Sequence, residues 1–244
     1  EGVVNSPEDA RKAVRQRYKN GADVIKITAT GGVMSVAKNG QNPQFTTEEL
    51  KAIVETAKDY GMLTAAHAHG DEGMRRAIVA GIKTIEHGTL MEEPTMELMI
   101  KYNAYLVPTI SAGKAAAAMA EIPNFLPAVV AKKAKEIGPI SEKNFKRAYE
   151  KGVPIAFGTD AGVSPHGDNG KEFTYMHEAG MPVVAALQSA MTTPAKLLGV
   201  DKEMGILKVG FLADIVAVDE NPVRNVRTLE SVSFVMKNGV VYKQ

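Results

Sequence analysis

Four side chains, Lys26, His67, His87 and Asp160, have the types and spacing of a metal site that does hydrolytic chemistry. Lys26 lies in the apolar run Asp23-Val-Ile-Lys-Ile-Thr28, ahead of Gly31-Gly32. His67 lies in Ala65-Ala-His-Ala-His69, His87 in Thr84-Ile-Glu-His-Gly88, and Asp160 in Phe157-Gly-Thr-Asp160. The chain has no cysteine, so thiolate sites are excluded and imidazole and carboxylate remain as ligands. That donor set suits Zn²⁺ or a similar divalent ion. A lone histidine in a strand is ordinarily structural. Two at matching positions on successive strands, with a strand-end aspartate, fit a ligand set better. Asp160 has two further uses: taking a proton from metal-bound water, or simply capping a turn after Gly158-Thr159.

Lys26 stands between Ile25 and Ile27, where burial would make a bare ammonium costly. Three fates follow. Its head snorkels to the strand end, it acts as a Schiff-base nucleophile as in barrel aldolases, or it is carboxylated by CO₂ to an anion that bridges two metal ions. The last two need a neutral amine, which burial favours. His69 lies two residues beyond His67, and i and i+2 share a face in a strand. It is a candidate donor to a substrate carbonyl or a support for a ligand, against a plain loop histidine. His166, in Ser164-Pro-His-Gly167 after the Asp160 strand, is a candidate substrate-binding residue because such loops line barrel sites. His177 reads as structural.

The elements that position these residues repeat. Ser6-Pro-Glu-Asp9 opens a helix that stops near Gly21, and strand 23–28 follows. Thr46-Thr-Glu-Glu49 has the capping-box pattern; its helix stops at Gly61, before strand 62–68. Helix 71–80 stops at Gly81 before strand 83–87, and helix 94–102 stops at Asn103 before strand 104–109. Helix 141–151 stops at Gly152 before strand 153–158. Lys26 comes five residues after its stop signal; His67, His87 and Thr109 come six after theirs, and Asp160 eight. Each of the four ligand candidates therefore falls at the end of a predicted strand. Helix–strand units with apolar strands argue for a parallel sheet covered by helices. No G-x-G-x-x-G opens a first βα turn, which weakens a dinucleotide-binding reading. Chemistry from the ends of successive strands favours α/β of the (β/α)8 TIM-barrel type.

A closed barrel has eight strands, and the chain supplies five. Five would leave apolar edges open, so three more are expected ahead of residue 1 or from another chain. The expected domains are a partial barrel over 1–204 and a small β element over 205–244. In the latter, 205–210 and 213–219 read as strands, and 233–242 as a hairpin with an Asn238-Gly239 type I′ turn.

With 244 residues and a formal net charge of +1, the chain shows no electrostatic footprint for nucleic acid or anionic membrane. No run of about 18 apolar residues predicts a membrane span. The start lacks Met and a signal-peptide pattern, so the chain reads as processed, trimmed or a fragment. The compartment stays open: soluble, and either cytoplasmic or periplasmic/secreted.

These motifs together resemble the amidohydrolase superfamily, in its imidazolonepropionase-like, prolidase-like branch. The likeness extends to Phe157-Gly-Thr-Asp-Ala-Gly162, Thr193-Pro-Ala-Lys-Leu-Leu-Gly199 and Gly210-Phe-Leu-Ala-Asp-Ile-Val216, and so covers nearly the whole chain. It implies two Zn²⁺ ions bridged by carboxylated Lys26, with His67 and His87 on the second ion and Asp160 on the first, shuttling the proton. His69 becomes the substrate-carbonyl donor. A metal-bound hydroxide would then hydrolyse the amide of a dipeptide, Xaa-Pro or similar, or of an N-acyl amino acid. The branch also implies a homo-oligomer. The departure from the pattern is the His-x-His pair of the first barrel strand. The chain's sole His-x-His is His67-Ala-His69, which matches the fifth strand. The chain thus corresponds to strands 4–8 and the C-terminal part of a composite β-sandwich, and by itself is expected to bind metal poorly and hydrolyse slowly. The competing readings are a Schiff-base aldolase and an inactive chain.

Overall fold

The computed structural model describes residues 2–36 and 39–244. Helices and strands alternate through the first half: α1 (Pro7–Lys19), β1 (Val24–Thr28), α2 (Thr47–Asp59), β2 (Leu63–Ala68), α3 (Asp71–Ala80), β3 (Thr84–His87), α4 (Glu93–Tyr102) and β4 (Tyr105–Val107). The helix starts follow local chemistry. The Ser6 hydroxyl accepts from the Asp9 amide at 3.1 Å. Thr46 and Glu49 form a complete reciprocal box, with the Thr46 amide donating to Glu49 at 2.8 Å. The ends follow it too: Gly81 and Asn103 turn left-handed at φ 106 and 49.

The four strands form one parallel sheet in the order β1-β2-β3-β4. Sequence neighbours are therefore spatial neighbours, winding in one direction as in a barrel wall; a doubly wound sheet reverses its order midway. Residues 153–158, expected as a full strand, make a single parallel bridge, Leu106 with Ile155. The Leu106 amide donates to the Pro154 carbonyl at 2.8 Å and the Ala156 amide to the Leu106 carbonyl at 2.9 Å. Pro154 has no amide hydrogen to extend the ladder, yet the segment continues the wall beyond β4.

Two further differences from expectation have physical causes. The helix expected over 141–151 is the end of α6 (Ala128–Lys151), which runs 24 residues through an internal Pro139. It packs against α5 (Ile110–Ala120) so closely that a Cβ on Gly138 would sit 2.8 Å from Ala117. Residues 205–210, expected as a strand, turn instead: Gly205 and Gly210 have φ 98 and 87, and Val209 is fully exposed.

After α7 (Lys171–Glu178), α8 (Val183–Ala190) and α9 (Thr192–Leu197), a small antiparallel sheet closes the chain. It holds β5 (Ile215–Ala217), β6 (Phe234–Lys237) and β7 (Val240–Lys243) in that order. Asn238 and Gly239 both have positive φ, 50 and 79, as a type I′ hairpin turn requires.

The main core lies between the sheet and α3, α4 and α6, around Met74, Ile78, Ile85, Met96, Met99, Leu106 and Phe145. A second cluster seals α1 and α2 onto Ile25. β1 is an edge of the described sheet, and its burial alternates: Ile25 is buried, while Val24, Lys26 and Thr28 are exposed. The expectation of a buried Lys26 at a strand end is corrected: it is the middle residue of β1. It is exposed because β1 is the open edge of the described sheet, where the further strands expected of a closed barrel would lie.

Candidate metal centre

β2 carries His67 near its end and releases His69 just beyond it, while β3 ends on His87. The three rings meet. Centroids lie 4.7 Å apart for His67 and His69, 4.6 Å for His67 and His87, and 4.9 Å for His69 and His87, the last pair stacked at 16°. One ring nitrogen from each lies within 4.8 Å of the others. Three cationic imidazoles at this spacing would repel. Burial, reinforced by neighbouring positive charge, holds all three below the usual histidine range: His87 at about 2, His69 at about 3, and His67 lowered as well. For His69 the added charges are His67 and Lys133; for His87 they are His69, His67 and Lys26. Neutral imidazoles present lone pairs, which fits a divalent cation.

Hydroxyls fix two of the rings. Thr109 Oγ1 lies 2.7 Å from His87 Nδ1, and Thr89 Oγ1 lies 2.9 Å from His69 Nδ1. Partners of this kind orient metal-binding histidines and set their tautomer. His67 Nε2 donates to the Gly31 carbonyl at a long 3.4 Å. The chain after Gly31 is held down by α6, whose Lys133 ammonium donates to the carbonyls of Gly32 at 2.9 Å and Ser35 at 2.7 Å.

The backbone around the site is strained. His87, Thr109 and Asp160 all have left-handed φ, at 74, 49 and 53. The turn after His87 is anchored by buried Asn144 of α6, which donates to the Gly88 and Met91 carbonyls at 3.1 and 3.0 Å. Gly88 itself (φ 60) has no room for a side chain, since a Cβ would meet Leu106 at 2.5 Å.

A cavity of about 210 Å³ opens beside the rings. Lys26, His67, His69, His87 and Asp160 all line it, and Ala112, Ala116, Ala134 and Ile137 of α5 and α6 give it an apolar end. The structure thus brings five of the six sequence-identified candidates to one cavity. His166 is exposed on its loop and is not among the lining residues. The sequence pattern does not mark Thr89, Asn144 or Glu172, whose roles depend on neighbours distant in the chain. Thr109 was marked by its matching offset, without a role.

The lowered histidine pKa values make the fold acid-sensitive. Unfolded histidine takes up a proton at about 6.5, the folded rings only far below that. Their contribution to stability is complete above about pH 6.5 and is lost as pH falls toward about 3 for His69 and about 2 for His87. Thermal melts between about pH 7 and about pH 4 should show a falling midpoint, with a shallower fall in a His69→Asn, His87→Asn double variant. Equal slopes for the two proteins would contradict this.

Residues 2–243 match the amidohydrolase family. Ochratoxinase of Aspergillus niger is 33% identical over 246 residues, an alignment that takes in 99% of this chain and 50% of the enzyme. Among solved structures, a Xaa-Pro dipeptidase with methionine bound in its active site matches with TM-score 0.97 and 56% identity, over 100% of this chain and 60% of that one. The crystal structure of A. niger ochratoxinase matches with TM-score 0.86 and 33% identity, over 98% and 55%. The chain spans about half the length, or less, of the curated relatives it matches.

Proposed function

Because the chain belongs to the amidohydrolase family, we propose that it carries part of the active site of a metal-dependent hydrolase of C–N bonds. The substrate is a small molecule, a dipeptide of the Xaa-Pro type or an N-acyl amino acid, cut at its amide. The observation that carries this reading is the trio of neutral histidines facing one cavity together with Lys26 and Asp160. The Xaa-Pro dipeptidase among the similar structures supports an amide of an amino acid as substrate.

His67, His87 and Asp160 are the residues that would hold divalent metal of the Zn²⁺ type, with Lys26 in carboxylated form as a further ligand. A metal bound there would polarise the amide carbonyl and lower the pKa of a water molecule. The remaining work falls to the chain. A carboxylate oxygen of Asp160 accepts the proton of the attacking water and passes it to the leaving nitrogen. His69, fixed by Thr89, directs a ring nitrogen at the substrate carbonyl. The apolar end formed by α5 and α6 receives an apolar part of the substrate and keeps water from that side. Carboxylation of Lys26 rests on its place in the family pattern and beside the histidines in the cavity. The histidine trio and the family favour this reading over the aldolase one. The protein is further proposed to self-associate. No helix among the described residues is long and apolar enough to cross a membrane.

Metal analysis together with native mass measurement tests the proposal. In a protein that also supplies the His-x-His strand, the expected result is bound divalent metal and the added mass of one CO₂, lost on acidification, with both reduced in Lys26→Ala. Unchanged metal content in Lys26→Ala, or undiminished amide hydrolysis after complete metal removal, would overturn it.

A further inference from the structure

We propose that Glu172 is a positioning residue for the histidine site: its carboxylate caps α5 so that the Thr109 hydroxyl is free to hold His87. Glu172 lies at the start of α7 and is completely buried. One carboxylate oxygen accepts from the Ile110 amide at 2.9 Å; the other accepts from the Ser111 amide at 2.7 Å and the Ser111 hydroxyl at 2.6 Å. These are the first residues of α5, so the carboxylate sits at the positive end of that helix. Burial pushes its carboxyl up to about 7, against the opposing pull of the Ser111 and Ile110 hydrogen bonds.

A helix start beginning with threonine has a simpler solution. A threonine N-cap folds its own hydroxyl onto the amide two or three residues ahead, from extended backbone. Thr109 is the N-cap of α5 and does neither: it makes no side-chain cap, and its φ is 49. Its hydroxyl faces away, to His87 Nδ1 at 2.7 Å. A β-branched residue in the left-handed region is a strained arrangement, so something must keep Thr109 from relaxing into the ordinary cap. Glu172 does this in two ways. It occupies the Ile110 and Ser111 amides, so a self-cap on the amide two residues ahead has no free donor, and it fixes the two residues that follow Thr109. Without it, Thr109 would turn back onto α5 and release the His87 ring.

The distinctive consequence is a change at His87 larger than that at His69, whose ring is held independently by Thr89. Imidazole nitrogen NMR of the metal-free protein reads this directly. In Glu172→Ala the His87 Nδ1 resonance should move most, while His69 Nδ1, still bonded to Thr89, moves less despite the stacked rings. The second arm rests on the metal reading proposed above: Zn²⁺ affinity should fall about tenfold, the scale seen when an outer partner of a ligand is lost. Should Glu172→Ala fail to fold, Ser111→Ala keeps the carboxylate and removes one donor to it; a smaller His87 shift is then expected. A folded Glu172→Ala or Ser111→Ala protein with unaltered His87 signals overturns the proposal and leaves Glu172 as a packing residue. A wild-type protein that binds no Zn²⁺ overturns the metal reading instead, with the NMR arm still deciding on Glu172.

Discussion

In a protein that also supplies the His-x-His strand, and on the proposed amide substrate, Asp160→Asn is expected to lower kcat by about 10²- to 10⁴-fold, the usual contribution of a placed general base, with the fold little changed. Asp160 lines the cavity with the three histidines and Lys26. Its backbone is left-handed, φ 53, a region that asparagine adopts as readily as aspartate. The substitution therefore keeps shape and backbone, removes the ability to accept a proton, and weakens the ligand that Asp160 would offer a metal. Steady-state hydrolysis of an Xaa-Pro dipeptide, run with metal content measured on the same sample, separates loss of base from loss of metal. Full metal occupancy with an undiminished kcat would remove Asp160 from the proton path.

Phe145→Ala should cost about 3–5 kcal/mol of folding free energy, the range for emptying a packed aromatic position. Phe145 is 2% exposed and belongs to the main core with Met96, Leu106 and Ile110. It also stacks on Tyr149 of the same helix, at a centroid distance of 6.4 Å. Its neighbour Asn144 is the residue that holds the turn after His87. Slack in α6 should therefore reach the metal site as well as the core. Urea unfolding gives the free energy; a loss below about 1 kcal/mol would mean that the core closes around the gap.

Local rules made much of the architecture legible. The capping box at Thr46 and Glu49 and the left-handed stops at Gly61, Gly81, Asn103 and Gly152 stand where the sequence puts them. Those stops set the offsets that single out His67, His87 and Asp160. What escaped depends on neighbours distant in sequence. Periodicity around Lys26 is the same whether or not a strand lies alongside, so the exposure of β1 could not be read from Val24-Ile-Lys-Ile. Gly138-Pro139 looks like a helix break, yet α6 continues because its packing against α5 outweighs one missing hydrogen bond. Pro154, by contrast, does limit its strand to one bridge. The hydroxyl of Thr109 and the carboxylate of Glu172 act across separations of 22 and 62 residues, where no local pattern operates.

The left-handed residues at His87, Thr109 and Asp160 set a limit on how the protein can be made heat-resistant. A non-glycine residue held in such a region costs about 1–3 kcal/mol, against a net domain stability of only about 5–15 kcal/mol. Screening for thermal tolerance alone would favour glycine or asparagine at Thr109, gaining stability while loosening the ring of His87. Robust variants that still work must draw their stability from positions away from these three residues.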